Sequence, residues 1–157
     1  MPSGLTSFTI SCIFLGTVGY VNSFVAQYTG AGEQKRVGLS IWQGVFLALF
    51  GGLFMATGWF WGGWLMTQFG HAEAVLQQEI VYFKLLSIFA WIPLLIAAFS
   101  SFWSGRGLTM TIMIVNFIMV FSNIPFNYAF IYGNWGAPEL GIRGAAYGTI
   151  LSGLVGL

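Results

Sequence analysis

No aspartate occurs anywhere in this 157-residue chain, and its four glutamates stand beside only five lysines and arginines. A soluble domain draws about a quarter of its residues from these four types, so the deficit excludes an ordinary solvated surface and points to a membrane protein. One histidine and one cysteine exclude an internal disulfide and the Cys/His clusters of a zinc site. The serines have no base near them in sequence, so no triad, carboxylate pair or metal cluster is at hand for an enzyme. A formal charge of +1 supplies no basic stripe, which excludes nucleic acid as a partner. No cofactor is implied. The opening MPSGLTSFTIS lacks the basic stretch of a signal peptide. GAGEQKR, at residues 30–36, lacks the GK[ST] ending of a phosphate loop and reads as a helix stop and turn.

What the chain does have is apolar length: 57% of its residues are hydrophobic and 18% aromatic. A hydrocarbon core about 30 Å thick takes about 20 residues of helix. Division at the charges and glycine clusters predicts spans over Leu5–Tyr28, Leu39–Trp61, Ile80–Trp103 and Leu108–Tyr132, with a fifth beginning over Gly144–Leu157. No carboxylate falls inside any of them. The links are short, so consecutive spans run antiparallel. Lys35, Arg36 and Arg106 occupy the first and third links, against Arg143 in the fourth and Lys84 just inside the third span. This asymmetry puts the first and third links in the cytoplasm and His71 and Glu139 outside. Trp59, Trp61, Trp64 and Trp135 then gather near the outer ends as an aromatic belt. His71 and Glu73, two apart in an outer loop, are too few for a metal site.

Two patterns stand out within the spans. Cys12, Gly16, Gly19, Ser23, Ala26 and Gly30 line one face of the first, and Gly44, Ala48, Gly51 and Gly58 do much the same in the second; both are expected to pack against neighbouring helices. In the fourth, Asn116, Asn123 and Asn127 fall within about 40° of helix circumference. Such a stripe cannot face lipid, where each unpaired amide costs several kcal/mol. It lines a cavity or bonds a neighbouring helix. Pro125 lies between two of these asparagines and Pro93 inside the third span; each lacks an N–H and is expected to bend its helix, Pro125 freeing the Phe121 carbonyl. Interrupted helices with polar groups at membrane depth are the usual build of transporter sites.

The order WIPLL, SGRG, NIPFNYAFIYG and GAPELGIRGAAYGT, with VAQYTGAG after the first span and WQG at Trp42–Gly44, resembles the amino-terminal lobe of the multidrug and toxic compound extrusion (MATE) family, most of all its NorM branch. The resemblance covers nearly the whole chain. It implies an all-α, polytopic transmembrane bundle that forms part of one six-helix lobe in a twelve-helix transporter. Residues 1–157 would be a single partial lobe, helices two to five and the start of six. It implies secondary efflux of organic cationic or amphipathic small molecules, coupled to inward sodium or protons, across the plasma membrane, the inner membrane in a bacterium. Asn123 and Asn127 correspond to the family's polar pair in the fifth helix, and Asn116 extends the stripe. The family's acidic residue on the first helix has no counterpart here, so the chain by itself is expected not to transport and to need the remainder of the transporter. Two other readings stay open. A lipid-linked precursor flippase of the same superfamily would use a more basic cavity, and a non-transporting structural subunit would not need proline beside an amide stripe.

Overall fold

The computed structural model describes residues 2–70 and 72–157; His71 lies outside them. Helices α1 (Pro2–Gly19) and α2 (Val21–Gly30) follow one another with a break only at Tyr20, and together give an apolar run of 28 residues from Ser3 to Gly30. Next come α3 (Gln34–Ala56) and α4 (Gly58–Thr67), interrupted only at Thr57. Helices α5 (Glu73–Ile88) and α6 (Trp91–Gly105) meet at a 40° bend, and α7 (Thr109–Tyr132) runs without interruption. A short 3-10 turn, Asn134–Gly136, leads into α8 (Ile142–Val155). Among the described residues three helices are long and apolar enough to cross a membrane, and the bent α5–α6 pair makes a fourth.

The bend has a local cause. Pro93 is the third residue of α6 and has no N–H for the Phe89 carbonyl, while its ring crowds that carbonyl. The chain breaks at Phe89–Ala90, and the Ile92 N–H donates to the Phe89 carbonyl instead, at 3.1 Å. Pro125 lies inside α7, whose helix continues through it to Tyr132.

The main core joins Val18 of α1, Val45 and Ala48 of α3, and Leu94 and Ala98 of α6. Here α3 meets its neighbours through its small residues: a Cβ at Gly44 would lie 3.1 Å from Val21, and one at Gly51 2.8 Å from Phe14. At one end of the bundle Val21, Val25 and Val37 form a second cluster with Tyr28 and Phe102. Arg36 lies over the Tyr28 ring at 5.6 Å and Arg106 over Phe102 at 4.8 Å, so three of the cations expected in the cytoplasm, with Lys35, occupy this end. Gln77 and Gln78 share a groove with Leu140–Arg143 at the opposite end. Lys84 reaches the Trp59 ring at 5.1 Å, a shielded position for a cation near the membrane.

One expectation is corrected. Glu79 is inside a helix and only 5% exposed, so one span does contain a buried carboxylate. Cutting the chain at its charges placed the start at Ile80, whereas α5 begins at Glu73 and carries Glu79, Phe83 and Ser87 on one buried face. Among the described residues no atom approaches a Cβ built at Gly16, Gly19 or Gly30 within 4 Å, and α1 and α2 contact the described bundle through Val18, Val21 and Val25.

Candidate functional site

Among the described residues α7 and α8 make the most extensive helix–helix contact, and glycine permits it. Along the antiparallel pair, Phe130 opposes Gly144, Asn127 opposes Gly148, Asn123 opposes Ser152 and Met119 opposes Gly156. A small residue every fourth position of α8 lets the backbones touch. A Cβ at Gly144 would collide with the Phe130 carbonyl, and one at Gly148 with Asn127 Oδ1. Gly133 ends α7 in the left-handed region (φ 70, ψ 28), where a side chain is disfavoured. The loop then folds back, and the Leu140 N–H donates to the Phe130 carbonyl at 2.9 Å.

A hydrogen-bond chain fills this seam. Asn127 Nδ2 donates to Asn123 Oδ1 (2.8 Å), Asn123 Nδ2 to Ser152 Oγ (3.1 Å), and the Ser152 hydroxyl to the Thr149 carbonyl (2.9 Å). It ends at Asn127 Oδ1, which is buried against Gly148 and accepts no hydrogen bond from the described residues. An unmatched buried acceptor costs about 1–3 kcal/mol, so a donor or cation that reached this oxygen would find it unspent.

Beside the seam lies a cavity of about 300 Å³ between α1, α5, α6, α7 and α8. Ser7, Ser11, Phe89, Pro93, Met119 and Ser152 are among its walls. The volume is at the lower end for small-molecule pockets. Ser152 touches both features: its hydroxyl ends the asparagine chain and it lines the cavity. Pro93 lines it too, at the bend it causes. Asn123 and Asn127 stand behind Ser152, one layer from the cavity, and both are half-buried. Asn116 does not join them. It is exposed among the described residues, in a separate open groove with Ser104, Thr109 and Phe117. The residue the asparagine spacing does not reveal is Ser152. Its signal was the four-residue repeat Gly144, Gly148, Ser152, Gly156.

The MatE family model matches residues 3–129. A probable multidrug resistance protein NorM of Thermotoga maritima is 37% identical over 133 residues, which cover 84% of this chain and 29% of that protein. A multidrug resistance protein NorM of Vibrio cholerae is 33% identical over 127 residues, 81% of this chain and 28% of its own length. A solved inward-facing multidrug resistance MATE family transporter of the MOP superfamily superposes with a TM-score of 0.84 at 23% identity, over 96% of this chain and 34% of that one. The chain thus spans less than a third of the length of these curated relatives. With most of its residues inside the family model and the fold shared over nearly all of it, the chain belongs to the MatE family, whose matched members are transporters and not enzymes.

Proposed function

We propose that this chain is most of the amino-terminal lobe of a secondary active multidrug efflux transporter in the plasma membrane, an antiporter that exchanges inward sodium or protons for outward organic cationic or amphipathic molecules. The observation that carries this reading is the cavity at the Pro93 bend with the Asn127–Asn123–Ser152 chain ending on its wall. Phe8, Leu15 and Ile96 add apolar wall for an amphipathic molecule, and the Ser7, Ser11 and Ser152 hydroxyls add polar points. The asparagine chain fixes the Ser152 rotamer, so a change at Asn123 or Asn127 is felt in the cavity without direct contact. Helices α1–α8 would supply helices two to five and the start of six, and the opposing lobe would complete the alternating-access path.

Energetics bounds the coupling. One charge moving inward through about 100 mV releases about 2.3 kcal/mol, equivalent to a concentration ratio of roughly 50 for a neutral drug. A monovalent cationic drug moving outward cancels that term, so its export needs a second ion or the ion's own concentration gradient. The test is efflux of a fluorescent cationic dye from drug-sensitised cells that express the complete transporter. Efflux that stops when the sodium or proton gradient is dissipated supports the reading, and gradient-independent efflux or none overturns it. For orientation, a cysteine at position 35 in a Cys12→Ser background is expected to resist an impermeant thiol reagent in intact cells, while one at Glu139 labels.

A further inference from the structure

The two ends of the bundle differ in charge. Lys35, Arg36 and Arg106 stand against a single carboxylate, Glu33, at one end, whereas the opposite end sets Lys84 and Arg143 against Glu73, Glu79 and Glu139. A net positive end attracts the anionic surface of a bilayer. Near that end an open groove of about 590 Å³ runs between α1–α2 and α3, with Ile13, Val21, Phe24 and Leu47 as apolar walls. Gly16 lines it too, and nothing among the described residues lies within 4 Å of a Cβ built there.

One face of α3 grades in polarity along this groove. Arg36, Ser40, Gln43 and Leu47 follow one another at spacings of four, three and four, so they share a face. Arg36 lies over the Tyr28 ring, and Glu33 takes its Nε at 2.6 Å, which leaves the outer guanidinium nitrogens open. Lys35 is exposed and makes no ion pair among the described residues. The Ser40 hydroxyl donates to the Arg36 carbonyl (2.9 Å), and on the facing wall Thr17 donates to the Ile13 carbonyl (2.7 Å). Both hydroxyls are thus spent inside their own helices, and the walls they line suit hydrocarbon. Gln43, about 10 Å along the axis from Arg36, is the exception. Its amide is exposed in the groove and makes no hydrogen bond among the described residues. The placement of cations at membrane ends accounts for Lys35 and Arg36, but not for an amide left open two turns deeper, where hydrocarbon makes it costly. A phospholipid presents the matching order: phosphate at the surface, ester carbonyls below it, and acyl chains beneath.

We propose that this groove binds one anionic phospholipid from the leaflet at the Arg36 end. Lys35 and the outer nitrogens of Arg36 hold the phosphate, the Gln43 amide donates to an ester carbonyl, and an acyl chain lies over Gly16 between Ile13, Phe24 and Leu47. The assignment is independent of what the transporter exports. The test places the complete transporter in phosphatidylcholine liposomes with a trace of phosphatidylglycerol that carries a photoactivatable group midway along one acyl chain, and mass spectrometry locates the cross-links. Cross-linking to the peptides that hold Ile13, Phe24 and Leu47 is expected to be at least about fivefold stronger than with the same probe on a phosphatidylcholine headgroup. Lys35→Gln is expected to abolish that preference, and Arg36→Gln to weaken phosphatidylglycerol labelling about fivefold. Gln43→Leu is expected to weaken labelling about threefold with either headgroup, because both lipids carry the ester. Equal labelling of the parent by the two headgroups, or a Gln43→Leu variant of parental helix content by circular dichroism that labels like the parent, would overturn the site. So would a groove that takes no label at all, which would assign it to a helix from the rest of the transporter or to a second copy.

Discussion

Two helix faces in this molecule are built from small residues at nearly the same spacing and meet opposite fates. On α8, Gly144, Gly148, Ser152 and Gly156 press against α7 so closely that a Cβ at three of the four would collide with it. On α1 and α2, Gly16, Gly19 and Gly30 meet nothing within 4 Å. Small-residue spacing states that a close approach is possible; it does not state that a partner is present. The α8 face meets asparagines that must be satisfied inside the protein, whereas at Gly16, Gly19 and Gly30 no described residue comes within reach.

The comparison breaks most visibly at Gly148. Gly148→Leu in the complete transporter is expected to abolish its accumulation in the membrane or cost at least about 1–3 kcal/mol of stability by overpacking against Asn127, read as a lowered melting temperature in detergent. A smaller effect is expected from Ser152→Ala, which removes the acceptor of Asn123 Nδ2. Its cost is about 0.6–2 kcal/mol, the range of interhelical hydrogen bonds in membranes. Gly16→Leu and Gly19→Leu stand at the other extreme. In the 157-residue chain each is expected to change stability by less than about 0.5 kcal/mol, as for a substitution that touches nothing. A loss as large as that at Gly148 would show that the α1 face is occupied after all.

Much of this was legible in the sequence. The apolar runs gave the helices because lipid demands their length, and the Trp91-Ile92-Pro93 step gave the α5–α6 bend because proline removes a donor wherever it sits. Asn123 and Asn127 announced a buried polar feature through their spacing alone. Their partner was less legible, since a serine among glycines carries no charge or bulk to mark it. Asn116 shares the helical face of the other two yet lies in a different groove, about two turns before Asn123. Glu79 was missed because charge served as the boundary of spans, and a carboxylate buried about two turns inside a helix defeats that rule.

The central claim is that the asparagine–serine seam serves the cavity beside it. The most direct measurement is dye export per transporter in cells, with membrane abundance quantified in the same samples, for Asn123→Leu in the complete protein. Leucine has similar bulk but leaves Asn127 Nδ2 and Ser152 Oγ without their shared partner. The account predicts export per transporter reduced at least about tenfold, as expected when a positioning contact of about 1.4 kcal/mol is lost, with abundance lowered less than export. Normal export per transporter at normal abundance would contradict it and leave the seam as helix packing alone.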